Sequence, residues 1–469
     1  RLSEAGLISG PFEPADRWLY AMRHKGDFGY WRTTVDYTAV SDRDYFRNLG
    51  TELDVASRRE LERSGQLQYS RGGFDMRFWA QRFDRLDSFP VEAYQRLPEL
   101  TLNYSGFLPG PFEWSMGASG ASYDRTNDEL NGVNKIVGSR VHLEPRLRMP
   151  LSNSWGFLTL MGGYRYTAYD LSDTEPDVEA KPERKIGLGS ADAGVFFERD
   201  MNFFGASVIQ TLEPRVRYLY QQFQDQNDLP RFDVTKLTFR YDQLWRDNRF
   251  SGLDRISDAD QLSVGLTSRF INAATGREYL RANLGQIRYF KDRRVTKSGT
   301  QQSRDLTNDS ELAGELVGRI GRWSVGGNII WEPNEKRTDE GGAFARFRSD
   351  NDHILYLGYR FRKSTDVDQT DISFTWPLTG RYSLIGRWNF DLNTRRIVEG
   401  LAGIEYNDCC WKIRFIARTY LDTPSARLFA EADTRQAVYL QIVFKGLAGI
   451  GNSVEPLLAK SIPGYAMEN

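Results

Sequence analysis

The sequence has no apolar run long enough to form a membrane-spanning helix, and it has almost no net charge. Its longest apolar stretches have only the length of a strand, as in Val438 to Phe444. A helix that crosses a bilayer needs about 20 apolar residues, so a helical membrane protein is excluded. The 62 basic and 63 acidic residues nearly cancel, and this balance gives no electrostatic support for a nucleic-acid partner.

Histidine is scarce as well. The chain has three histidines, His24, His142 and His353. None of them lies near a serine with an orienting partner, and none has metal-ligand spacing to another histidine or a cysteine. A barrel phospholipase or protease needs such a constellation. The sequence also lacks a glycine-rich phosphate-binding loop that ends in Lys-Ser or Lys-Thr. We therefore expect no enzymatic activity, no metal site and no cofactor.

Short segments that alternate between apolar and polar residues recur along almost the whole chain. In one of them Leu355, Leu357, Tyr359 and Phe361 fall on one side, with Gly358 and other residues between them. Side chains on a strand point to opposite faces with a period of two, so each segment has one apolar and one polar face. The pattern predicts an all-β fold, a large antiparallel transmembrane β-barrel of the outer-membrane type with roughly 20–26 strands.

A soluble β-sandwich array or a β-propeller is the alternative interpretation of these strands. A propeller has a repeat of roughly 40–50 residues with a blade signature, and no such repeat is visible in the sequence. No linker or shift in composition divides the chain. We expect the barrel to occupy residues 1–446 and a C-terminal tail to occupy residues 447–469.

The predicted connections between strands alternate between tight and long. Pro150 to Trp155 and Pro377 to Tyr382 each join a Pro-Leu strand end to an aromatic residue that opens the next strand. Outer-membrane barrels have short periplasmic turns and longer outer loops, so these two are predicted to be periplasmic. No segment resembles an internal plug, although a barrel of about 22 strands needs one. We expect a separate chain to fill the lumen. The long connections are predicted at 170–187, 221–234, 291–311, 332–343 and 361–371.

A seven-residue phrase that begins at His142 recurs at Thr211 and places charges on one side of two strands. In strand register its apolar residues face lipid and its charged residues face the lumen. One interpretation is structural, since mixed charges on one wall pair across neighbouring strands. The other is a charged lumen surface that contacts a plug or an anionic passenger. The predicted lumen-facing residues are Glu144, Arg146, Arg148, Glu213, Arg215 and Arg217.

The only two cysteines, Cys409 and Cys410, are consecutive. Consecutive Cα atoms lie about 3.8 Å apart, which is shorter than the separation of about 4.4–6.8 Å that disulfides prefer. Side chains of consecutive residues in extended backbone would also point in opposite directions. The pair precedes an alternating segment that starts at Trp411, so it marks a turn. Two inert thiols are unexpected in an oxidising compartment, and we expect each cysteine to pair with one outside this segment.

Taken in order, several phrases resemble those of the LptD family of lipopolysaccharide-assembly proteins of Gram-negative outer membranes. They run over nearly the whole chain, which makes the resemblance specific. The phrases are Val35-Asp36-Tyr37-Thr38 with Val40-Ser41-Asp42 and Tyr45-Phe46; Val141-His142-Leu143-Glu144-Pro145 leading to Pro150-Leu151-Ser152; Phe197-Glu198-Arg199-Asp200; Thr211-Leu212-Glu213-Pro214-Arg215 with Tyr218-Leu219-Tyr220; Gly252-Leu253-Asp254-Arg255-Ile256; Tyr406 to Trp411; and Gly446-Leu447.

The resemblance implies a non-enzymatic translocon in the outer membrane that inserts lipopolysaccharide into the outer leaflet. It implies an LptE-like lipoprotein as the plug, contact with membrane lipids, and a periplasmic lipopolysaccharide-bridge protein bound through an N-terminal domain that this chain lacks, together with its first strands. It also implies a lateral gate between the first and last strands, and disulfides from Cys409 and Cys410 to cysteines near the N-terminal domain. An outer-membrane diffusion porin or nutrient transporter is the alternative. The expected last strand of the gate contains Val438, Leu440, Ile442 and Phe444.

Overall fold

The computed structural model describes residues 17–42, 60–85, 93–125, 136–174, 179–203, 205–350, 352–422, 433–445, 448–450 and 454–465. Nearly all of its regular structure is β-strand. The strands are β1 Leu19–Phe28, β2 Trp31–Val40, β3 Glu60–Arg71, β4 Phe74–Arg85, β5 Gln95–Phe107, β6 Glu113–Asp124, β7 Val137–Ser152, β8 Gly156–Ser172, β9 Glu183–Val195, β10 Phe197–Phe203, β11 Ala206–Gln221, β12 Thr235–Lys236, β13 Phe250–Ser251, β14 Ala259–Asn272, β15 Glu278–Tyr289, β16 Leu312–Ile320, β17 Trp323–Glu332, β18 Arg337–Arg348, β19 Ile354–Arg362, β20 Val367–Pro377, β21 Tyr382–Asp391, β22 Arg396–Asn407, β23 Trp411–Asp422, β24 Asp433–Phe444 and β25 Ala448–Ile450.

One sheet contains 23 of these strands, and β12 and β13 form a small second sheet. An α-helix, α1, covers Glu455–Ser461, and 3₁₀ helices cover Tyr241–Trp245, Ser303–Leu306 and Lys363–Thr365. The prediction of an all-β antiparallel fold with roughly 20–26 strands is confirmed. Among the described residues, no helix is both long enough and apolar enough to cross a membrane.

The chain divides into two compact units. Unit 1 comprises residues 1–103, 119–141 and 170–180, and unit 2 comprises residues 104–118, 142–169 and 181–469. In unit 1, β1 to β4 pair antiparallel in chain order. In unit 2, β8 pairs with β9, and both β9 and β10 pair with β11. From β11 the sheet continues through β14 and then in chain order to β25.

The strands of unit 2 expose their apolar residues and bury their polar ones. On β14, Val264 is 47% exposed and Leu266 39%, whereas Ser263 and Thr267 are buried at 1% and 9%. The expected exposure of Leu357 is found on β19, where its side chain is 39% exposed. We call the side that carries these apolar residues the apolar face and the opposite side the polar face. This arrangement is the reverse of a water-soluble sheet, whose apolar face is packed on a core.

Hairpin connections are short at one end of the unit 2 sheet. The predicted tight turns are found at 153–155 and 378–381, and residues 408–410 turn at the same end. Two of the predicted long connections are wrong. Residues 332–343 belong to β17 and β18 except for the turn 333–336. Residues 361–371 belong to β19 and β20 except for the 3₁₀ helix Lys363–Thr365 and Asp366. Their charged residues, which suggested loops, belong to the polar face of strands.

The connection between β11 and β14, residues 222–258, is far longer than the expected 221–234. Its 3₁₀ helix Tyr241–Trp245 packs against the polar face of unit 2, where Leu244 is fully buried against Ile287, Tyr289 and Ile330. Glycine makes room for it, because a Cβ on Gly285 would lie 2.5 Å from Leu244 Cδ2. This connection covers part of the polar face, although no segment of the sequence resembles an internal plug.

The last predicted segment, 447–469, contains β25 and helix α1. Strand β25 pairs with the end of β24, and in α1 Leu458 is fully buried. Arg414 on β23 donates to Glu455 Oε1 at 3.0 Å and to the Tyr465 hydroxyl at 2.9 Å, which ties this segment to the sheet. The proposed boundary at 446 and 447 lies outside the described residues and stays a prediction, as does the expectation that the first strands are missing.

Candidate functional site

Five charged side chains form a compact cluster on the polar face of unit 2. Glu144 accepts hydrogen bonds from Arg146 Nη2 at 2.7 Å and from Arg165 Nε at 2.6 Å. Asp247 Oδ2 lies 2.8 Å from Arg146 Nη1 and 3.7 Å from Arg165 Nη2. Arg217 donates a further hydrogen bond to Asp247. Three guanidinium groups therefore share two carboxylates, which leaves one positive charge in excess.

Three strands and one long connection bring these residues together. Glu144 and Arg146 lie two residues apart on β7 and so share a face. Arg165 comes from β8 and Arg217 from β11, whereas Asp247 follows the 3₁₀ helix of connection 222–258. The cluster is thus built where a loop residue meets the wall of the sheet.

Connection 222–258 is held to the sheet next to Asp247 as well. Arg217 donates to the backbone carbonyl of Trp245, and the guanidinium of Arg215 lies 4.0 Å from the centroid of the Trp245 ring. Arg215 also donates from Nε to Asp192 Oδ1 at 2.8 Å. A cation over an indole face contributes about 0.5–2 kcal/mol. Residues 245–247 are therefore fixed by several contacts with β11.

A second buried cluster fixes the end of the same connection. Arg184 on β9 donates to Gln226 Oε1 at 2.9 Å and to the carbonyl oxygens of Leu253 and Asp254 at 2.5 and 3.0 Å. Tyr169 donates to Asp254 Oδ1 at 3.1 Å. Arg184 and Asp254 are fully buried. Removing Arg184 would be costly, because the buried amide and carbonyl oxygens that accept from it would lose their donor.

The six predicted lumen-facing residues do not form one site. Arg146 and Arg217 meet at Asp247, and Glu144 pairs with Arg146. Arg215 contacts the same connection through Trp245. The other two pair with neighbours elsewhere, as the structural interpretation expects. Arg148 lies 3.3 Å from Glu113, and Glu213 lies 3.2 Å from Arg269.

Sequence reasoning missed Arg165 and Asp247. Alternation on β8 between Tyr164 and Tyr166 would have placed Arg165 on the polar face. Asp247 carries no such signal, since it lies in a connection whose path depends on distant contacts. Nothing in its local sequence distinguishes it from an ordinary loop aspartate.

The charge of Asp247 depends on its arginine neighbours. Burial by itself would raise the pKa of this carboxyl, but the positive charges of Arg217 and Arg146 outweigh burial and hold the pKa below its usual range. The carboxylate is therefore ionised at neutral pH. An ionised carboxylate surrounded by guanidinium groups marks a place that suits an anion.

A cavity of about 570 Å³ adjoins Asp247 and extends along the polar face. It contains three carboxylates, Glu311, Glu332 and Asp339, whose oxygens lie within 4.8 Å of one another. Carboxylate oxygens are suitable ligands for a hard cation. Arg304 Nη1 lies 3.1 Å from Glu311, and Arg337 Nε lies 2.9 Å from Asp339. These arginines already neutralise most of the negative charge, and we assign no metal to the cavity.

Cys409 and Cys410 lie at the predicted turn, between β22 and β23, and both side chains are exposed with free thiols. Their Sγ atoms lie 2.9 Å apart, so the side chains do not diverge as they would in extended backbone. Contact with Cys410 raises the pKa of the Cys409 thiol. Hydrogen bonds from the Cys409 backbone and the Tyr406 hydroxyl lower the pKa of Asp408 in the same turn. The expected disulfides stay predictions.

The expected last strand, β24, is longer than its apolar core, since it runs from Asp433 to Phe444. It pairs with β23 along its whole length, and β25 pairs only with Ile442 to Phe444. Val438 and Leu440 are the most exposed of the four predicted gate residues, at 65% and 58%. The role of this strand in a gate stays a prediction.

Comparison with known families and proteins gives a consistent result. The family described as "LptD: LPS transport system D" matches residues 15–382. The chain is 36% identical to "LPS-assembly protein LptD" of Pseudomonas aeruginosa (strain UCBPP-PA14), over 96% of this chain and 56% of that protein. It is 35% identical to the protein of the same name from Nitrosococcus oceani, over 99% of this chain and 62% of that protein. The chain thus spans little more than half the length of these curated relatives.

Among solved structures, a mutant of the ferric enterobactin receptor PfeA from Pseudomonas aeruginosa is 9% identical to this chain. The alignment covers 85% of this chain and 73% of that one, with a TM-score of 0.37.

Proposed function

The chain belongs to the LptD family, and from this membership we propose that it is the barrel portion of an outer-membrane translocon that inserts lipopolysaccharide into the outer leaflet. The observation that carries the proposal is the reversed sheet of unit 2, with apolar side chains such as Leu266 exposed and polar ones such as Ser263 buried. Exposed apolar surface of this extent marks a contact with lipid or with another protein.

The reversed sheet suits a barrel wall in a bilayer. Every backbone hydrogen-bonding group must be satisfied in hydrocarbon, and a closed antiparallel sheet satisfies them between strands. The apolar face then contacts membrane lipid, and the polar face lines a wet lumen. The family to which the chain belongs supports placement in the outer membrane of a Gram-negative bacterium.

Lipopolysaccharide has two parts with opposite solvent preferences, and the two faces of the sheet match them. Its sugar–phosphate head group suits a charged lumen such as the one that Glu144, Arg146 and Arg217 line. Its acyl chains suit hydrocarbon. A lateral gate next to β24, with Val438, Leu440, Ile442 and Phe444 on one side, would let the acyl chains enter the membrane while the head group remains in water. No step in this route makes or breaks a covalent bond, so the proposed function is transport and not catalysis.

We further propose two protein partners and a covalent link. An LptE-like lipoprotein fills the part of the lumen that connection 222–258 leaves open, and a periplasmic bridge protein delivers lipopolysaccharide through an N-terminal domain. Cys409 and Cys410, exposed at the periplasmic turn, are positioned to join that domain to the barrel. The disulfides would hold the delivery domain beneath the lumen.

The test is reconstitution of the full-length protein with its lipoprotein partner in phospholipid vesicles. Lipopolysaccharide is supplied on the periplasmic side together with the bridge protein, and an enzyme added on the opposite side modifies what emerges there. Emergence of lipopolysaccharide without release of trapped small solutes supports the proposal. Rapid release of the solutes without emergence of lipopolysaccharide would instead identify a diffusion porin.

A further inference from the structure

Asp247 occupies the centre of an arginine cluster that is built like a site for a phosphate group. Arg146 and Arg165 reach it from β7 and β8, and Arg217 reaches it from β11. Guanidinium groups bind phosphate and carboxylate oxygens through the same planar pairs of donors. We propose that Arg146, Arg165 and Arg217 form a binding site for a phosphorylated head group, and that the Asp247 carboxylate is the internal anion that such a group displaces.

The charge balance of the cluster favours replacement of the Asp247 carboxylate by a phosphate group. With Glu144 and Asp247 in place, three guanidinium groups face two carboxylates. A phosphate monoester carries about −1.5 to −2 charges at neutral pH, so replacing Asp247 by phosphate brings the cluster closer to neutrality. Glu144 keeps its hydrogen bonds to Arg146 and Arg165 while phosphate displaces Asp247, and it holds both guanidinium groups in place.

The position of Asp247 in the chain allows it to move while the rest of connection 222–258 stays docked. Leu244 anchors the preceding 3₁₀ helix by its full burial. Asn248, the next residue, is fixed within the connection, because its side chain accepts from the Ser257 backbone at 2.9 Å and donates to the Arg255 carbonyl at 3.0 Å. Rotation of the Asp247 side chain would therefore free the three arginines, and the loss of its ion pairs with them would loosen the backbone at 240–248 without undocking the connection.

A path to Asp247 exists on the polar face. Asp247 lines the cavity of about 570 Å³ described above, whereas none of the three arginines does. Arg146 is the most exposed member of the cluster, with 28% of its side chain accessible against 7% for Arg165. A head group would approach along the cavity to Asp247 and reach the arginines once that carboxylate has moved. That the phosphate belongs to a lipid rests on the proposed function, whereas the phosphate site itself does not.

The experiment measures hydrogen exchange of the backbone amides at 240–248 in the full-length protein with its lipoprotein partner, purified in detergent micelles. Three probes are compared: inorganic pyrophosphate, bisphosphorylated lipid A, and the same lipid without its phosphates. We expect pyrophosphate and the phosphorylated lipid to speed exchange at 240–248, and the dephosphorylated lipid to have no effect. A response to pyrophosphate alone would assign the site to free phosphate compounds and would still support it.

Asp247→Asn removes the competing carboxylate, and calorimetry should show pyrophosphate binding that is about tenfold tighter, since one charge-assisted contact accounts for roughly that factor. Arg217→Gln should weaken binding by about the same factor. The matched control is Asp371→Asn, which removes a carboxylate from Arg387 elsewhere on the polar face. Equal tightening in this control would overturn the site, because general charge would then explain the effect.

Wild-type protein provides a check that does not depend on how the variants fold. Absence of any pyrophosphate effect on residues 240–248 while lipopolysaccharide transport is intact would overturn the phosphate site and leave the proposed function standing. Phosphate binding in a protein that fails to transport lipopolysaccharide would support the site and reject the function.

Discussion

The indole ring of Trp245 lies directly over Gly265, so that a Cβ built on this glycine would come within 2.5 Å of Trp245 Cζ2. Gly265 is in the middle of β14, paired with Arg215 of β11, and Arg215 itself lies under the same ring. The missing side chain on the polar face is therefore what lets connection 222–258 reach the sheet. A glycine in a strand otherwise weakens it.

Substitution of this glycine should displace the connection. Gly265→Val places branched carbons where the indole lies, and overpacking of this kind costs about 1–3 kcal/mol. We expect faster proteolysis within 222–258 and a smaller free energy of unfolding. The matched control is Gly162→Val on β8, where an added Cβ has no neighbour within 4 Å. Equal effects of the two variants would show that loss of strand glycine, and not contact with Trp245, is responsible.

A charge on the apolar face should be poorly tolerated. Leu357 on β19 is 39% exposed, and arginine at the middle of a bilayer on a lipid-facing strand costs about 2–4 kcal/mol. Leu357→Arg should therefore lower the free energy of unfolding of the protein in lipid bilayers by roughly this amount. Leu357→Met is the control, because it preserves an apolar side chain of similar volume. Equal stability of both variants would mean that this face does not contact lipid.

The two exposed cysteines should be oxidised in the full-length protein. A disulfide that closes a loop of several hundred residues stabilises by about 4–5 kcal/mol in the chain-entropy model. On a non-reducing gel, Cys409→Ser combined with Cys410→Ser should abolish the mobility shift and impair assembly, whereas a single substitution leaves one bond. Labelling of both thiols by a maleimide in untreated cells would contradict this prediction.

Docking of connection 222–258 should be insensitive to mild acid. The arginine neighbours of Asp247 lower its pKa in the folded state. The ionised carboxylate therefore stabilises the fold fully at any pH above its unfolded-state pKa of about 3.9. This stabilisation is lost only as the pH falls through the lower pKa of the folded state. Exchange at 240–248, corrected for its intrinsic pH dependence, should not change between pH 7 and 5 and should rise only at pH values below the ordinary aspartate range. In Asp247→Asn this acid-dependent rise should be absent. A rise near pH 6 in the wild type would point to another titrating group.

The strands could be predicted from the sequence because alternation is local. Leu355 to Phe361 reveal the two faces of β19 without knowledge of any other strand, and the same argument places Glu144 and Arg217 on polar sides. The predictions at 332–343 and 361–371 are wrong because charged residues such as Asp339 are typical of loops, whereas on a strand with a buried polar face they belong to the wall of the sheet.

The candidate site could be predicted only in part, since its centre depends on contacts that are distant in sequence. Asp247 meets Arg146 because Trp245 fits over Gly265 and Leu244 over Gly285. Neither fit has a local signal, and a strand glycine alone does not reveal what will cover it. Sequence reasoning therefore found the wall arginines and missed the aspartate that joins them.

The most direct test of the proposed function uses photo-crosslinking residues on the two faces of one strand, β20. Asp371 lies on the polar face, paired to Arg387, and Ile372 lies on the apolar face, 45% exposed. The full-length protein, with its partner, is placed in vesicles of phospholipid only, and lipopolysaccharide is then supplied from the periplasmic side. We predict lipopolysaccharide adducts at position 371 before lipopolysaccharide emerges outside, and phospholipid adducts at 372. Emergence of lipopolysaccharide with no adduct at 371, or early adducts at 372 alone, would contradict passage along the polar face.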